Sequence, residues 1–585
     1  MPLNRRAAHD GGVPIDTAAR SSFALVSSIA AVLVTGIAFS FLPFVLWWHS
    51  TGHFAYIADK DNQYYLQLAA RLYYGNLFSM RDVVVIHATT AYQALQFVPA
   101  VMLTRILGLS VWAVNAIWHL WAAIALPLAF YLVFLHWLRR PWAAAFCAIV
   151  MLVDCGVLTV EPLFIQLMRL YQTGVGHLPV LYDGQDLLNQ WRIIDPAIGM
   201  PLLLLQILFV SSAVEKPKDR KRLGVAGIST ALLFYVWLYY WTAAVGALVI
   251  AFILDRPARR VYATILGVGL VAGLPAIVYG FTTKALLSTE GLQRIGYFAP
   301  VPRLGFFLLP KAALLALLVT GVWIWRKPNK EGLYLWCLAP AALLLSNNHI
   351  VTGMDLRAGH WRYVWGSGLS MLVLVMAVQL SRDRFLRGSR WTAVTIVSAV
   401  LLIEIAGGTA LRVIEVDRSL NGKLVLNGYR DFESQGLKVP QKLAVNAVVA
   451  GDEEFCDLAS IASDVRPLAG YAAFLSLVID DQEWESREAL NAHLEGLSMQ
   501  DFQSEASDAR RSYGWGESAD PQKGLLVEAG MMQEFARMES DFRPEIKAFG
   551  VSYVAIKATR PDPAYLKRGW SLMETGPYWR IWRRD

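Results

Sequence analysis

The sequence predicts a mainly α, polytopic transmembrane helical bundle of about eleven spans, followed by a C-terminal soluble α/β domain. Three observations lead there. Hydrophobic letters make up 56% of the 585 residues and charged letters only 17%, against about 45–50% and about 25% in soluble domains. Apolar runs approaching or reaching spanning length recur between residues 22 and 413. From about Arg412 onward charged letters become frequent and no such run occurs. A water-soluble globule, a disordered chain and a collagen-like chain are all excluded. The 21 Trp and 26 Phe suit aromatic belts at two membrane interfaces. Four Cys with no C-x-x-C exclude a disulfide scaffold and argue against a structural zinc site.

The first apolar run, 22–48, is too long for the core of a cleaved signal peptide and no A-x-A follows it, so it reads as a retained signal anchor after a cytoplasmic tail, 1–21. Further spans fall near 111–137, 142–158, 196–214, 223–239, 241–255, 261–282, 305–325, 332–346, 363–380 and 391–413. Basic residues test this assignment. Arg5, Arg6 and Arg20 precede the first span. The other clusters are Arg139–Arg140, Lys216–Arg222, Arg256–Arg260, Arg326–Lys330 and Arg382–Arg390. All fall on one side, which the positive-inside rule makes the cytoplasm. The net charge of +7 therefore reflects membrane orientation and not nucleic-acid binding. The stretch 91–107 is placed as a helix lying on the outer membrane surface, because counting it as a span would put Arg139 and Arg140 outside. It also carries Gln93, Gln96 and Arg105. The transmembrane domain is then 22–413, with a large first outer loop at 49–110. Other outer segments lie at 159–195, 283–304 and 347–362.

Residues 414–585 form the extracytoplasmic domain in this reading. Strands are expected at 442–450, 551–557 and 578–583, which are rich in Val, Ile, Ala and aromatics, and helices at 453–463 and 483–496. No internal repeat is visible.

The first outer loop holds the stretch that bears most on function, Ala58-Asp59-Lys60-Asp61-Asn62-Gln63-Tyr64-Tyr65. Lys60, Gln63, Gln67 and Arg71 recur at helical spacing and form a polar stripe opposite Tyr65, Leu66, Leu68, Ala69 and Leu72. Asp59 and Asp61 are open to two readings. One is an N-cap and a first-turn acid. The other is a carboxylate that deprotonates an acceptor, or a pair that holds a divalent metal (Mg or Mn) near a phosphate.

This layout resembles the GT-C class of integral-membrane glycosyltransferases, which includes protein O-mannosyltransferases, the aminoarabinose transferase of lipid A and oligosaccharyltransferases. In that class an acidic motif follows the first span, often as Asp-x-x-x-Tyr-Tyr before a helix that ends in Gly. Asp59 or Asp61, Tyr64, Tyr65 and Gly75 match it. His87, the helix at 91–107 and Leu107-Gly108-Leu109-Ser110 match the class's second element, although Ala88-Thr89 stand where it carries Pro-Pro. Arg139-Arg140-Pro141 after the second span is also familiar from the class. The detailed resemblance covers residues 20–160.

The resemblance implies a polyprenyl-phosphate-linked sugar donor, a glycan, lipid or protein acceptor, and inverting attack with Asp59 or Asp61 as base. His87 is a candidate contact to the donor. The segment 347–362 adds His349, Arg357, His360 and Arg362. In it an Arg would grip the donor phosphate and a His would bond it or the sugar. Trp361 and Tyr363 read as its interfacial anchors. Asp154 and Glu161, near the outer end of the third span, occupy a place from which oligosaccharyltransferases take a second metal-binding acid. Arg192 and Asp195-Pro196 precede the fourth span, where Pro suits a helix start. The expected setting is the cytoplasmic membrane, with the N-terminus inside and the C-terminus outside. Two other functions stay open: a transporter or flippase for a lipid-linked glycan, and a non-catalytic scaffold of envelope assembly. In-span charges such as Lys311 and Glu404 are isolated, whereas a transporter would be expected to show ionisable residues in mid-span.

Overall fold

A computed structural model describes residues 15–51, 60–77, 81–85, 88–90, 96–153, 198–304, 307–308, 310–327, 332–384, 442–514 and 520–585. Helices occupy every predicted span except 391–413, which lies outside the described residues. They begin with α1 (Ile15–Thr51). Then come α2 (Lys60–Tyr74), α3 (Val98–Ile106), α4 (Ala113–Leu138) and α5 (Pro141–Val153). The bundle continues through the helices Gly199–Glu215, Arg220–Phe234, Leu238–Leu254, Arg259–Lys284, Lys311–Trp325, Leu333–Ser346 and Arg362–Arg384. Among the described residues, four stretches have both the length and the apolarity to cross a membrane: Ser22–Leu42, Ala113–Leu138, Arg256–Lys284 and Ala358–Leu380.

Large apolar side chains lie exposed around the bundle, among them Phe23, Val34, Val271, Phe281 and Leu318. A soluble monomer rarely exposes such a belt, whereas a lipid-facing surface needs one. Small residues let the helices approach closely, as packing in lipid favours. A Cβ on Gly36 would sit 2.4 Å from the Ala123 carbonyl oxygen, and one on Gly227 would sit 2.4 Å from Val268.

The helix placed on the outer surface, α3, has nine residues, about 14 Å at 1.5 Å per residue, which is too short to span. Ala100, Val101 and Thr104 face inward, while Met102, Leu103, Ile106 and Leu107 are exposed. Its Arg105 folds back on the end of α2. The guanidinium donates to the carbonyls of Leu72 (2.7 Å), Tyr73 (2.8 Å) and Gly75 (2.7 Å), groups that a helix terminus leaves without partners.

Residues 442–585 carry a five-stranded sheet of order β4-β3-β5-β7-β6. Its strands are β3 (Val448–Gly451), β4 (Arg466–Pro467), β5 (Val551–Lys557), β6 (Trp570–Thr575) and β7 (Trp579–Arg584). Strand β3 runs parallel to β4 and to the central β5, and β7 is antiparallel to β5 and β6. A separate two-stranded ladder pairs β1 (Tyr297–Pro300) with β2 (Met354–Leu356). The strand expected from 442 starts only at Val448, because Asn446 turns the chain through the left-handed region at φ 60. The expected helices are Glu453–Ala462 and Asp481–Glu495, each capped by the preceding Asp: Asp452 accepts from the Phe455 amide and Asp480 from the Glu483 amide. Two polar helices that periodicity did not single out are Met499–Ser512 and Pro521–Met538; the second packs on the helix Asp481–Glu495, and the first packs on the second.

Two hydrophobic cores result. One lies within the bundle. The other is continuous from the first loop (Tyr64, Leu68, Val83, Phe97) and Trp118 of α4 through Leu292 and Ile295 into the C-terminal sheet and its helices.

Candidate active site

Asp61 stands in the first turn of α2 and is half-buried, while nearly all the rest of that helix is buried. Its apolar side packs on α3 and α4. Of the polar stripe, Gln63, Gln67 and Arg71 are buried and Lys60 is exposed; the helix Glu453–Ala462 lies against it. Lys60 Nζ pairs with Glu453 Oε1 at 2.9 Å, and Gln67 Nε2 donates to Asp457 Oδ1 at 2.8 Å. Arg71 pairs with Asp464 Oδ1 at 2.7 Å and donates to the carbonyls of Ser460 and Ser463. Burial, together with nearby Arg466, lowers the Arg71 guanidinium to about 9 against the pull of Asp464. The stripe is therefore the seam along which the C-terminal unit docks.

Two more buried arginines close the seam. Arg466, the first residue of β4, reaches back to the carbonyls of Asp82 and Val83 in the first loop. Arg294 ends the short helix Thr289–Arg294 and is fully buried in the C-terminal unit. It donates to the carbonyls of Phe474 (3.1 Å), Ser476 (2.8 Å), Ile479 (3.2 Å) and Asp480 (3.3 Å), and pairs with Asp481 Oδ1 at 3.0 Å. The basic character of segment 283–304 is thus, at Arg294, a docking device.

At the open end of the seam Tyr471 donates its hydroxyl to Asp61 Oδ1 at 2.5 Å. The Tyr471 amide donates to Glu453 Oε1 at 3.1 Å, the same oxygen that holds Lys60. The preceding Gly470 has φ 84 and donates its amide to Glu488 at 2.9 Å.

The segment 347–362 is held elsewhere, by the helix Leu238–Leu254 and by β1. His349 is fully buried. His360 packs against the rings of Trp237 (5.1 Å), Tyr239 (4.8 Å) and Tyr363 (6.3 Å). Arg357 adopts the left-handed conformation at φ 56 and lays its guanidinium over the Tyr297 ring at 5.7 Å. Asp355, next in the ladder, accepts from the Ala358 amide at 2.9 Å and so caps the turn that carries Arg357. Arg362 begins the helix Arg362–Arg384 and is half-buried. Trp361 and Tyr363, read as interfacial anchors, are buried instead: Trp361 donates its indole N–H to Thr242 at 3.0 Å. Asp59, His87, Asp154, Glu161, Arg192 and Asp195 lie outside the described residues. Among the described residues no group of three or more His, Cys, Asp or Glu is disposed to hold a metal ion. Sequence reasoning missed Tyr471 and Glu453, because nothing in Gly470-Tyr471-Ala472 differs from an ordinary loop leading into a helix.

Several buried carboxyls of the C-terminal unit are raised. Burial pushes Glu488 up to about 7, and burial with Asp452 beside it pushes Glu495 up to about 8. Asp457 rises in the same direction through burial and Glu453. The folded form therefore holds protons that the unfolded chain, at the usual value of 4.5 for Glu, has lost. This contribution is fully present below 4.5 and is lost as pH rises through about 7–8. The melting temperature of the purified chain is expected to be higher at about pH 5.5 than at about pH 8.5, and Glu495→Gln should flatten that dependence.

No family model matches the sequence, and no curated protein matches it either. Solved structures that resemble the chain include the following two. The oligosaccharyltransferase of Archaeoglobus fulgidus, in complex with zinc and sulfate, is 10% identical at a TM-score of 0.42, over 90% of this chain and 68% of that one. ArnT from Cupriavidus metallidurans, bound to undecaprenyl phosphate, is 12% identical at a TM-score of 0.45, over 93% of this chain and 97% of that one. Both are GT-C glycosyltransferases.

Proposed function

We propose that the chain is a glycosyltransferase that moves a sugar from a polyprenyl-phosphate donor to an acceptor on the outer side of the cytoplasmic membrane. The observation that carries this reading is the position of the first-loop acid Asp61. Asp61 opens a helix just beyond α1, at the open edge of a seam between the bundle and the C-terminal unit. The basic turns lie at the other ends of the helices. The helix Arg259–Lys284 has Arg256, Arg259 and Arg260 at its start and leads at its far end into Arg294, buried in the C-terminal unit. Likewise α4 starts beside the first loop and ends at Arg139–Arg140. With the basic turns in the cytoplasm, the acids and the C-terminal unit are outside.

In the reaction, Asp59 or Asp61 takes the proton of an acceptor hydroxyl. The oxygen attacks the anomeric carbon, the bond from that carbon to the donor phosphate oxygen breaks, and polyprenyl phosphate leaves with the electron pair. Arg357 or Arg362 would bind the phosphate, with His87, His349 or His360 bonding it or the sugar. Asp59, Asp61, Asp154 and Glu161 are the residues that would hold a divalent ion, which would supply positive charge to the leaving phosphate. The scaffold reading has one observation in its favour: the polar stripe of α2 is engaged in docking.

Reporter fusions after residues 140, 222 and 328 are expected to report cytoplasm, and fusions after 80, 355 and 585 the outer side. A cytoplasmic C-terminus would remove the acids from the face where the donor is proposed to react. Incubating the purified chain with an extract of its native membranes, which supplies both the polyprenyl-phosphate sugars and their acceptors, should release free polyprenyl phosphate; no release would overturn the transferase reading.

A further inference from the structure

We propose that the candidate site is composite: Tyr471 of the C-terminal unit is a positioning residue for the Asp61 carboxylate. This rests on the transferase reading above. Four contacts carry it. The Tyr471 hydroxyl donates to Asp61 Oδ1 at 2.5 Å across more than 400 residues of sequence. The Tyr471 amide is held by Glu453 Oε1 at 3.1 Å, and that same oxygen pairs with Lys60, the residue beside Asp61, at 2.9 Å. Lys60 Nζ also lies over the Tyr471 ring at 5.6 Å. Lys60, Glu453, Tyr471 and Asp61 thus close a ring of contacts in which two adjacent first-loop residues are gripped by two residues of the C-terminal unit.

The surroundings fix Tyr471 in place. Its ring stacks on Phe474 at 6.2 Å and 21°. Gly470 enters the helix at φ 84, and a Cβ there would meet Glu453 Cγ at 2.7 Å, so the loop runs close against Glu453. Glu488, buried behind it, accepts the Gly470 amide at 2.9 Å and the Trp484 indole N–H at 3.0 Å. Each link uses a side chain anchored elsewhere, which is what holding a carboxylate in one orientation requires. A hydroxyl donated to a carboxylate is charge-assisted and therefore directional. It orients Asp61 without taking up the acceptor's proton, since the phenol already carries its own. Docking of the C-terminal unit then becomes a condition for a correctly aimed first-loop acid.

The test compares four forms of the full-length chain: wild type, Tyr471→Phe, Asp61→Asn and the double variant. Tyr471→Phe keeps the ring on Phe474 and the amide on Glu453, so it removes only the hydroxyl. The first readout is thermal unfolding, which needs no activity. If the contact exists, the two shifts do not add, and the double variant melts with the worse single one. Additive shifts overturn the contact whatever the protein does. The second readout is the release of free polyprenyl phosphate in the same native membrane extract, with polyprenyl-phosphate sugars and acceptors both present. Tyr471→Phe should lower kcat about tenfold with KM within about twofold, as loss of orientation predicts, and should cause no further loss in the Asp61→Asn background. An unchanged kcat, or a purely KM effect, overturns the positioning role while the transferase reading stands. No release by wild type overturns the transferase reading and with it any role for Tyr471 in transfer, and the thermal cycle then decides the contact by itself.

Discussion

In membranes, Asp59→Asn is expected to lower glycosyl transfer about 10²–10⁴-fold while the protein is still made and folded, because a positioned general base contributes on that scale. Asn and Asp cap a helix equally well, so a purely structural role for Asp59 predicts near-silence in both stability and turnover. Asp61→Asn separates a second role. If Asp61 orients the base or supports a metal, its loss also lowers transfer, though the proton acceptor is still present. In that case the loss should track the Tyr471→Phe effect, since the two share one hydrogen bond. Transfer is measured against expression level in the same membranes. Near-normal transfer by both Asn variants would remove catalysis from the first-loop motif and favour the scaffold reading.

Arg294→Met is expected to be the most destabilising single change in the C-terminal unit, by about 3–5 kcal/mol, the range for breaking a buried ion pair by removing one partner. The methionine fills similar volume but donates nothing. Asp481 would keep Lys523 (3.0 Å) and the Tyr513 hydroxyl (3.2 Å), whereas the carbonyls of Phe474, Ser476, Ile479 and Asp480 would lose the donor that gathers them. Those carbonyls belong to the loop that follows Tyr471, so the effect should reach the Asp61 contact as well. The measurement is limited proteolysis with thermal unfolding of the purified chain. Arg294→Met should expose cleavage within the 442–514 segment, and Arg294→Lys should lie between it and wild type, having one compact charge in place of a planar fork. A melting temperature unchanged from wild type would mean that the docking of segment 283–304 does not depend on Arg294.

Much of the architecture is legible without tertiary information, because its causes are local. A run such as Ala113–Leu138 is apolar on every face, so it reads as a lipid-spanning or fully buried helix whatever its neighbours are. The basic turns stand out because short connections concentrate Lys and Arg next to apolar runs. The helices Glu453–Ala462 and Asp481–Glu495 are announced by amphipathic content, and their Asp caps mark where each begins. The stretch 91–107 falls outside the spans because counting it would put Arg139 and Arg140 on the outer side, and because it carries Gln93, Gln96 and Arg105; its helix, α3, has only nine residues. Less was legible where a short pattern has several outcomes: β4 has two residues, and β6 is a half-exposed edge strand with the sequence Trp-Ser-Leu-Met-Glu-Thr.

By itself, then, the sequence determined the apolar helices, the side on which basic turns gather, and the mixed helix–strand character of the C-terminal residues, since each follows from composition within a window of about 20 residues or fewer. What the polar groups do was decided only by the tertiary structure. The stripe Lys60, Gln63, Gln67 and Arg71 has one spacing, compatible with water, a phosphate or another helix. The fold chose the helix Glu453–Ala462, some 390 residues away, and buried Gln67 and Arg71 against it. Arg294 reads in sequence as one more outer-face cation, yet it is fully buried among carbonyls. The physical reason is that a buried polar side chain must find its partners, and those come from whichever surfaces meet; helical spacing sets where a donor stands on its own helix and leaves open which acceptor is brought to it.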